Sequence, residues 1–199
     1  MNCIYILHSK GETNMQFNRH NNLEGLHAPF SPSQSSWLRY DDDKAIAVYS
    51  NRQAAKMGTL LHAWAKNTID LGIKQPRSRK TLYAYVNDAI GFNMKTEVVL
   101  YYSDYFFGTA DAIAFRNNFL RIHDLKTGEH DASIEQLEVY AALFCLEYKV
   151  NPYEIGMELR IYQNDDVKVH NPEPEDIFTI MDKITHLNKL LMQMNIEED

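Results

Sequence analysis

The chain has 199 residues and a formal net charge of −7, with 45 % apolar and 24 % charged residues, proportions that suit one globular domain, or one domain with an appended helical part. Its two cysteines, Cys3 and Cys145, are too few and too far apart for a zinc or iron–sulfur framework or a disulfide scaffold, which makes a reducing compartment the expectation. The negative balance disfavours polyanion binding by the whole surface, and neither a signal peptide nor a membrane-spanning run is legible, so a cytoplasmic protein without a membrane partner is expected.

Residues 1 to 30 carry little periodicity and read as an irregular arm. "SPSQSSWLRY" offers Ser31, Ser33 and Ser35 as caps for a short helix. "SNRQAAKMGTLLHAWAKNTIDLG" predicts a longer helix, with Met57, Leu60, Leu61, Trp64 and Thr68 at helical spacing and Gly72 just past its end. A basic segment follows, "KQPRSRK", whose Lys74, Arg77, Arg79 and Lys80 read equally as a solvated loop and as phosphate contacts. Another helix is expected over Thr81 to Ile90. Then "MKTEVVLYY", "YFFGTADAIAF" and "NFLRIHDLK" predict three strands joined by short polar turns. "ASIEQLEVYAALFCLEYKV" predicts a helix, with Ser133 and Gln136 in capping-box spacing. "EIGMELRIYQ" predicts a fourth strand, and "PEDIFTIMDKITHLNKLLMQM" a closing amphipathic helix. This order of elements predicts an α/β fold around a central mixed sheet flanked by helices, with an N-terminal helical part.

Three acids interrupt these strands. Alternation places Leu120, Ile122, Asp124 and Lys126 on one face, Phe107, Thr109, Asp111, Ile113 and Phe115 on another, and Glu97 with Val99 and Tyr101 on a third. If those faces are buried, three unpaired carboxylates would each cost several kcal/mol or be protonated. A divalent cation resolves the conflict, and clustered carboxylate oxygens suit Mg²⁺ or Mn²⁺ better than a soft metal. Lysine beside such a cluster could stabilise an attacking hydroxide and the charge building on a phosphate. The simpler alternative for Asp124 and Lys126 is an ion pair at a strand end.

"GTAD" on one strand, "DLKTG" on the next and a helix bearing Gln136 and Tyr140 together resemble the PD-(D/E)xK nuclease superfamily. The chain is similar in particular to its RecB-like exonucleases, which include CRISPR-associated and phage-encoded members. "GTLLH" adds Gly58 and His62 at the spacing of the upstream helical motif. The resemblance implies a restriction-endonuclease-like core in a single nuclease domain over residues 1–199, divided into an arm (1–30), a helical part (31–92), a catalytic core (93–170) and a C-terminal helix (171–199). It also implies a Mg²⁺- or Mn²⁺-dependent deoxyribonuclease acting on single-stranded DNA or DNA ends, in recombination, repair or phage DNA processing.

By the same resemblance, Asp111, Asp124 and Lys126 are catalytic. The metal is held by Asp111, Asp124 and the Leu125 carbonyl, with His62 and Glu97 completing the set. Gln136, Tyr140 and Thr127 face the substrate, and the basic residues Lys74, Arg77, Arg79 and Lys80, read from their charge and not from the resemblance, are candidate substrate contacts. Several relatives hold an iron–sulfur cluster through four cysteines, and with two cysteines this chain is expected to lack one. Helicase segments are absent, so coupling to unwinding needs a helicase or recombination partner; a homo-oligomer is compatible with the sequence. His123 falls on the opposite strand face and is excluded from the site. For Gln136 a cap, for Tyr140 a core position and for His62 an ordinary core or surface histidine remain the alternatives. The competing function is a binding or assembly module that keeps the fold without turnover. A small phosphate-ester hydrolase is disfavoured, because no Gly-rich phosphate cradle is visible.

Overall fold

The computed structural model describes residues 5–7, 13–15, 28–128 and 132–196. Two compact units divide the chain, residues 1–52 and 53–199. In the first, β1 (Tyr5–Leu7) and β2 (Thr13–Met15) pair antiparallel, where the sequence suggests an irregular arm. The rest of residues 1–27 lies outside the described residues. The serine-rich stretch forms a 3₁₀ helix, Pro32–Arg39, with Ser31 at its N-cap.

Helix α1 runs over Asp42–Asp70, well upstream of its expected start, with Asp42 and Asp43 at the electropositive end of the helix dipole. Its buried residues are Gly58, Ala65, Thr68 and Ile69, while Met57, Leu60 and Trp64 are exposed. The large apolar residues therefore do not mark the packed face. A stripe of mostly small residues does, because close approach to the neighbouring layer leaves no room for long side chains.

Helix α2 (Thr81–Gly91) precedes β3 (Lys95–Ser103), β4 (Phe106–Arg116) and β5 (Phe119–Leu125). Asn117 and Asn118, both at positive φ, close the β4–β5 hairpin, a conformation that asparagine tolerates better than most residues. Helix α3 (Glu135–Tyr148) carries the chain over to β6 (Gly156–Gln163), which pairs parallel to β5. A fifth strand that the sequence reading omits, β7 (Asp166–His170), turns back through Asn164 and Asp165. It is a five-residue edge strand whose alternation rests on Val167 and Val169 alone, so its signal is weak. Helix α4 (Pro174–Ile196) closes the fold.

The result is an α/β architecture with a five-stranded mixed sheet in the order β3-β4-β5-β6-β7. Leu120, Ile122 and Leu159 form one core with Leu137 and Ala141 of α3 and Ile177 and Ile184 of α4. Leu125, Tyr162 and Ala112 form a second with Ala65 and Ile69 of α1 and Tyr85, Val86 and Ala89 of α2. Helices thus flank the sheet on both faces. No helix among the described residues is long and apolar enough to cross a membrane.

Candidate active site

Strands β4 and β5 part company at the acids. Their ladder ends at the pair Ala112 and His123. The next amide on that edge, Leu125 N–H, donates 3.0 Å to the Asp111 side-chain Oδ2 instead of to the β4 main chain. On its other side β5 stays in register with β6 through Leu125, and Lys126 N–H extends the line by donating to the Tyr162 carbonyl at 2.9 Å. A fork therefore opens in the sheet with Asp111 on one prong and Asp124 on the other.

Simple alternation fails where the fork begins. Ala110 and Ile113 pack into the α3 core, whereas Ala112 packs into the α1–α2 core, so β4 changes phase around Asp111. Across the hairpin, the ladder runs Thr96–Ala112 then Val98–Ala110, skipping Glu97 and Asp111, and Glu97 has φ of 51°. A non-glycine residue in the left-handed region inside a strand stores of order 1–3 kcal/mol of strain, and such strain concentrates at functional sites. The expectation that all three acids share buried faces is corrected here. Only the Asp124 face is buried, while Val99, Tyr101 and Phe107 beside Glu97 and Asp111 are exposed.

Helix α1 supplies one wall. His62 Nδ1 lies 3.4 Å from Asp111 Oδ2, and Gly58, one turn earlier, faces Thr127. A Cβ on Gly58 would sit 2.6 Å from Thr127 Oγ1, so glycine is what lets the helix reach the strand end after Lys126. Ala55, Gly58, Thr59, His62, Lys66, Glu97, Asp111 and Thr127 line an open cleft of about 710 Å³.

Helix α3 meets the same strand end through Lys126. Lys126 Nζ donates to Asp124 Oδ1 at 3.2 Å and to Gln136 Oε1 at 2.9 Å, and Gln136 Nε2 donates to the Tyr140 hydroxyl at 3.3 Å. The capping box does not form: Ser133 Oγ accepts from Glu135 N–H, and Gln136 turns to Lys126 instead. Tyr140 in turn lies against Gly108, where a Cβ would come within 2.8 Å of its ring. Gly108→Ala should therefore lower stability by about 1–3 kcal/mol through overpacking. Thermal melting checks this, and the Gly108→Ala/Tyr140→Ala pair should lose less than the sum of the two singles.

The charges converge as the distances do. Burial, then the charge of Asp124, push the Asp111 carboxyl above the usual range, against the pull of the Leu125 N–H and His62. Burial, followed by the charges of Asp111, Asp124 and Glu97, also raises the phenol of buried Tyr85. Asp124 and Glu97 thus both bear on Asp111.

Asp124 is 4 % exposed, and its Oδ2 is a buried oxygen with no hydrogen-bond donor. That oxygen lies 3.0 Å from Lys126 Nζ, but at an angle that leaves the hydrogen bond with Oδ1. Among the described residues no three His, Cys, Asp or Glu side chains form a ready cage for a metal ion. Two carboxylates and a main-chain carbonyl could nevertheless hold a hard cation such as Mg²⁺, which keeps several waters rather than requiring an all-protein cage. The buried Asp124 carboxylate, with one oxygen outside any hydrogen bond, and the raised Asp111 fit that use.

Of the remaining sequence-predicted residues, Lys74, Arg77, Arg79 and Lys80 are exposed, with Lys80 Nζ 5.6 Å from the Tyr83 ring centre. They do not line the cleft of His62 and Asp111. His123 lies on the far face as expected, bonded through Nδ1 to the Tyr162 hydroxyl at 3.2 Å. Burial, Arg160 and Arg121 push its pKa down to about 3, so it is neutral. Sequence reading missed Gln163, which accepts from Ala132 N–H and donates to the Gly128 carbonyl, pinning both sides of the segment after Lys126. It also missed the Asp88–Arg160–Glu158 ion pairs behind the sheet. Glu158 and Arg160, two apart in an otherwise apolar strand, were their available signal.

No family model, curated protein or solved structure matches the chain.

Proposed function

We propose that the chain is a metal-dependent deoxyribonuclease of the PD-(D/E)xK superfamily, RecB-like and without an iron–sulfur cluster, whose sheet and helices form a restriction-endonuclease-like core. It hydrolyses phosphodiester bonds of single-stranded DNA or of DNA ends. The observation that carries the reading is the fork, where a buried Asp124 carboxylate paired with Lys126 stands near a second carboxylate, Asp111, whose pKa it raises. An isolated ion pair needs neither the second acid nor the bridge from Lys126 to Gln136.

In this reading Asp111, Asp124 and the Leu125 carbonyl hold Mg²⁺ or Mn²⁺, with His62 and Glu97 at the margin of the set. Such a cation, when bound, makes water a stronger nucleophile and offsets phosphate charge. The Leu125 N–H holds Asp111 through Oδ2, leaving Oδ1 outside that bond. Lys126 orients the attacking water and stabilises the charge that develops on the phosphate. Gln136, backed by Tyr140, keeps the ammonium from swinging into solvent, so both are positioning residues as well as candidate substrate contacts. Thr127 and the exposed cations at positions 74, 77, 79 and 80 meet the DNA backbone. Attack of water on phosphorus with rupture of the P–O3′ bond leaves a 3′-hydroxyl and a 5′-phosphate, and the setting is cytoplasmic DNA recombination, repair or phage DNA processing.

The test is a gel of labelled single- and double-stranded DNA with Mg²⁺, Mn²⁺, Ca²⁺ or EDTA. Cleavage is expected with Mg²⁺ and Mn²⁺, with little in Ca²⁺, whose looser coordination positions water poorly. Equal cleavage in EDTA would overturn the metal dependence. Binding without cleavage under every metal would assign the chain to the inactive-module alternative.

A further inference from the structure

The carboxylates of the fork do not end an apolar row; they begin an exposed aromatic one. On the face of the β3–β4 hairpin that carries Asp111 and Glu97, the next cross-strand pair outward is Val99 with Thr109, and the next is Tyr101 with Phe107. Phe107 is 61 % exposed, Val99 55 % and Tyr101 46 %. The two rings lie 6.5 Å apart at 32°. Tyr101 is fixed at its tip by a hydrogen bond to Asp104 and at its backbone by Glu147, which accepts its N–H. At roughly 3.3 Å per residue, this ring pair stands about 13 Å from Glu97 along the strand. A cross-strand ring pair adds only a small increment of stability to the sheet and still leaves much of both rings to solvent, while the ring-flanking acids Asp104 and Glu147 keep phosphates at a distance. Flat apolar faces that exclude phosphate but continue from a phosphodiester site suit an unpaired base.

We infer that Tyr101 and Phe107 form a stacking platform for a base of single-stranded DNA, a few nucleotides from the bond held at the fork. Resting on the nuclease reading above, this assigns single strands, rather than intact duplex, as the substrate class. A base paired inside a duplex is stacked on both faces and cannot reach the rings. Stacking on an aromatic side chain tolerates any base, so the platform confers strand-state preference without sequence preference. It adds no phosphate contact, so it leaves the salt dependence of binding unaltered.

The test compares wild type with Tyr101→Ala/Phe107→Ala, using fluorescence anisotropy of labelled oligothymidine and of a blunt duplex in Ca²⁺. A 2-aminopurine placed at successive positions reports stacking through its quenching. The double variant should bind the single strand at least about tenfold more weakly, with an unchanged slope against log salt and no position of strong quenching. Its duplex binding should stay near wild type, and its melting temperature should fall by no more than roughly 4 °C, the share of one exposed cross-strand ring pair. Phe107→Trp should retain single-strand binding.

Equal single-strand affinity for wild type and the double variant would overturn the platform, even with cleavage in Mn²⁺ intact and the nuclease reading standing. Stacking without cleavage in Mg²⁺ or Mn²⁺ would support the platform and sink the nuclease reading. Loss of a dimer in sedimentation, with DNA binding unchanged, would overturn the platform in favour of self-association. Failure of the wild type to bind or cleave any single strand would overturn both.

Discussion

Lys126→Ala is expected to fold, to bind Mn²⁺ and to lose turnover by about 10²–10³-fold, the scale of removing one preorganised donor from developing charge. Its ammonium holds Asp124 and is itself held by Gln136. If that contact were only an ion pair, deleting the lysine would strand a buried carboxylate and cost about 3–5 kcal/mol. In the metal-site account the cation still neutralises Asp124. Melting with saturating Mn²⁺ should then stay close to wild type while kcat collapses. A variant that cleaves normally but melts far lower would make the Asp124–Lys126 contact structural.

Asp111→Asn should raise the melting temperature of the metal-free protein and abolish both cleavage and stabilisation by Mn²⁺. The amide oxygen still accepts the Leu125 N–H, so the fork keeps its shape. The charge disappears, and with it the penalty of burial and the repulsion from Asp124 that raise this carboxyl. The folded pKa lies above the unfolded one, so the ionised form is the one the fold disfavours. Wild type therefore loses stability relative to the variant as pH rises from the ordinary carboxylate range through the raised value, and the difference vanishes below that range. Each kcal/mol relieved should appear as roughly 2–4 °C in a chain of this size. Wild type, but not the variant, should gain about 2.7 kcal/mol at Mn²⁺ a hundredfold above Kd. Melts across pH, with and without Mn²⁺, read all of this.

Much of the frame was legible because it rests on local periodicity. Three strands, the helix that follows them and the closing helix fall within a few residues of expectation. Leu120, Ile122 and Asp124 do share a buried face, as strict alternation over a central strand requires. Alternation misled at Glu97 and Asp111, because a left-handed residue and a phase change in β4 are tertiary adjustments that no two-residue period encodes. The packed face of α1 was not legible for a related reason. Its buried side is chosen by close approach at Gly58, which hydrophobicity alone does not signal. Gln136 was visible as a motif residue, but whether it caps α3 or holds Lys126 depends on where the strand end lies. Gln163 gave no signal, since its contacts join segments 31 and 35 residues away.

The central claim is that the fork between β4 and β5 holds a divalent cation on Asp111 and Asp124. Titrating Mn²⁺ into the metal-free protein in a calorimeter, wild type beside Asp124→Asn, tests it without any substrate. Saturable binding in wild type that is lost or weakened at least tenfold in the variant is the result the account predicts. Identical isotherms, or no binding in wild type, would contradict it.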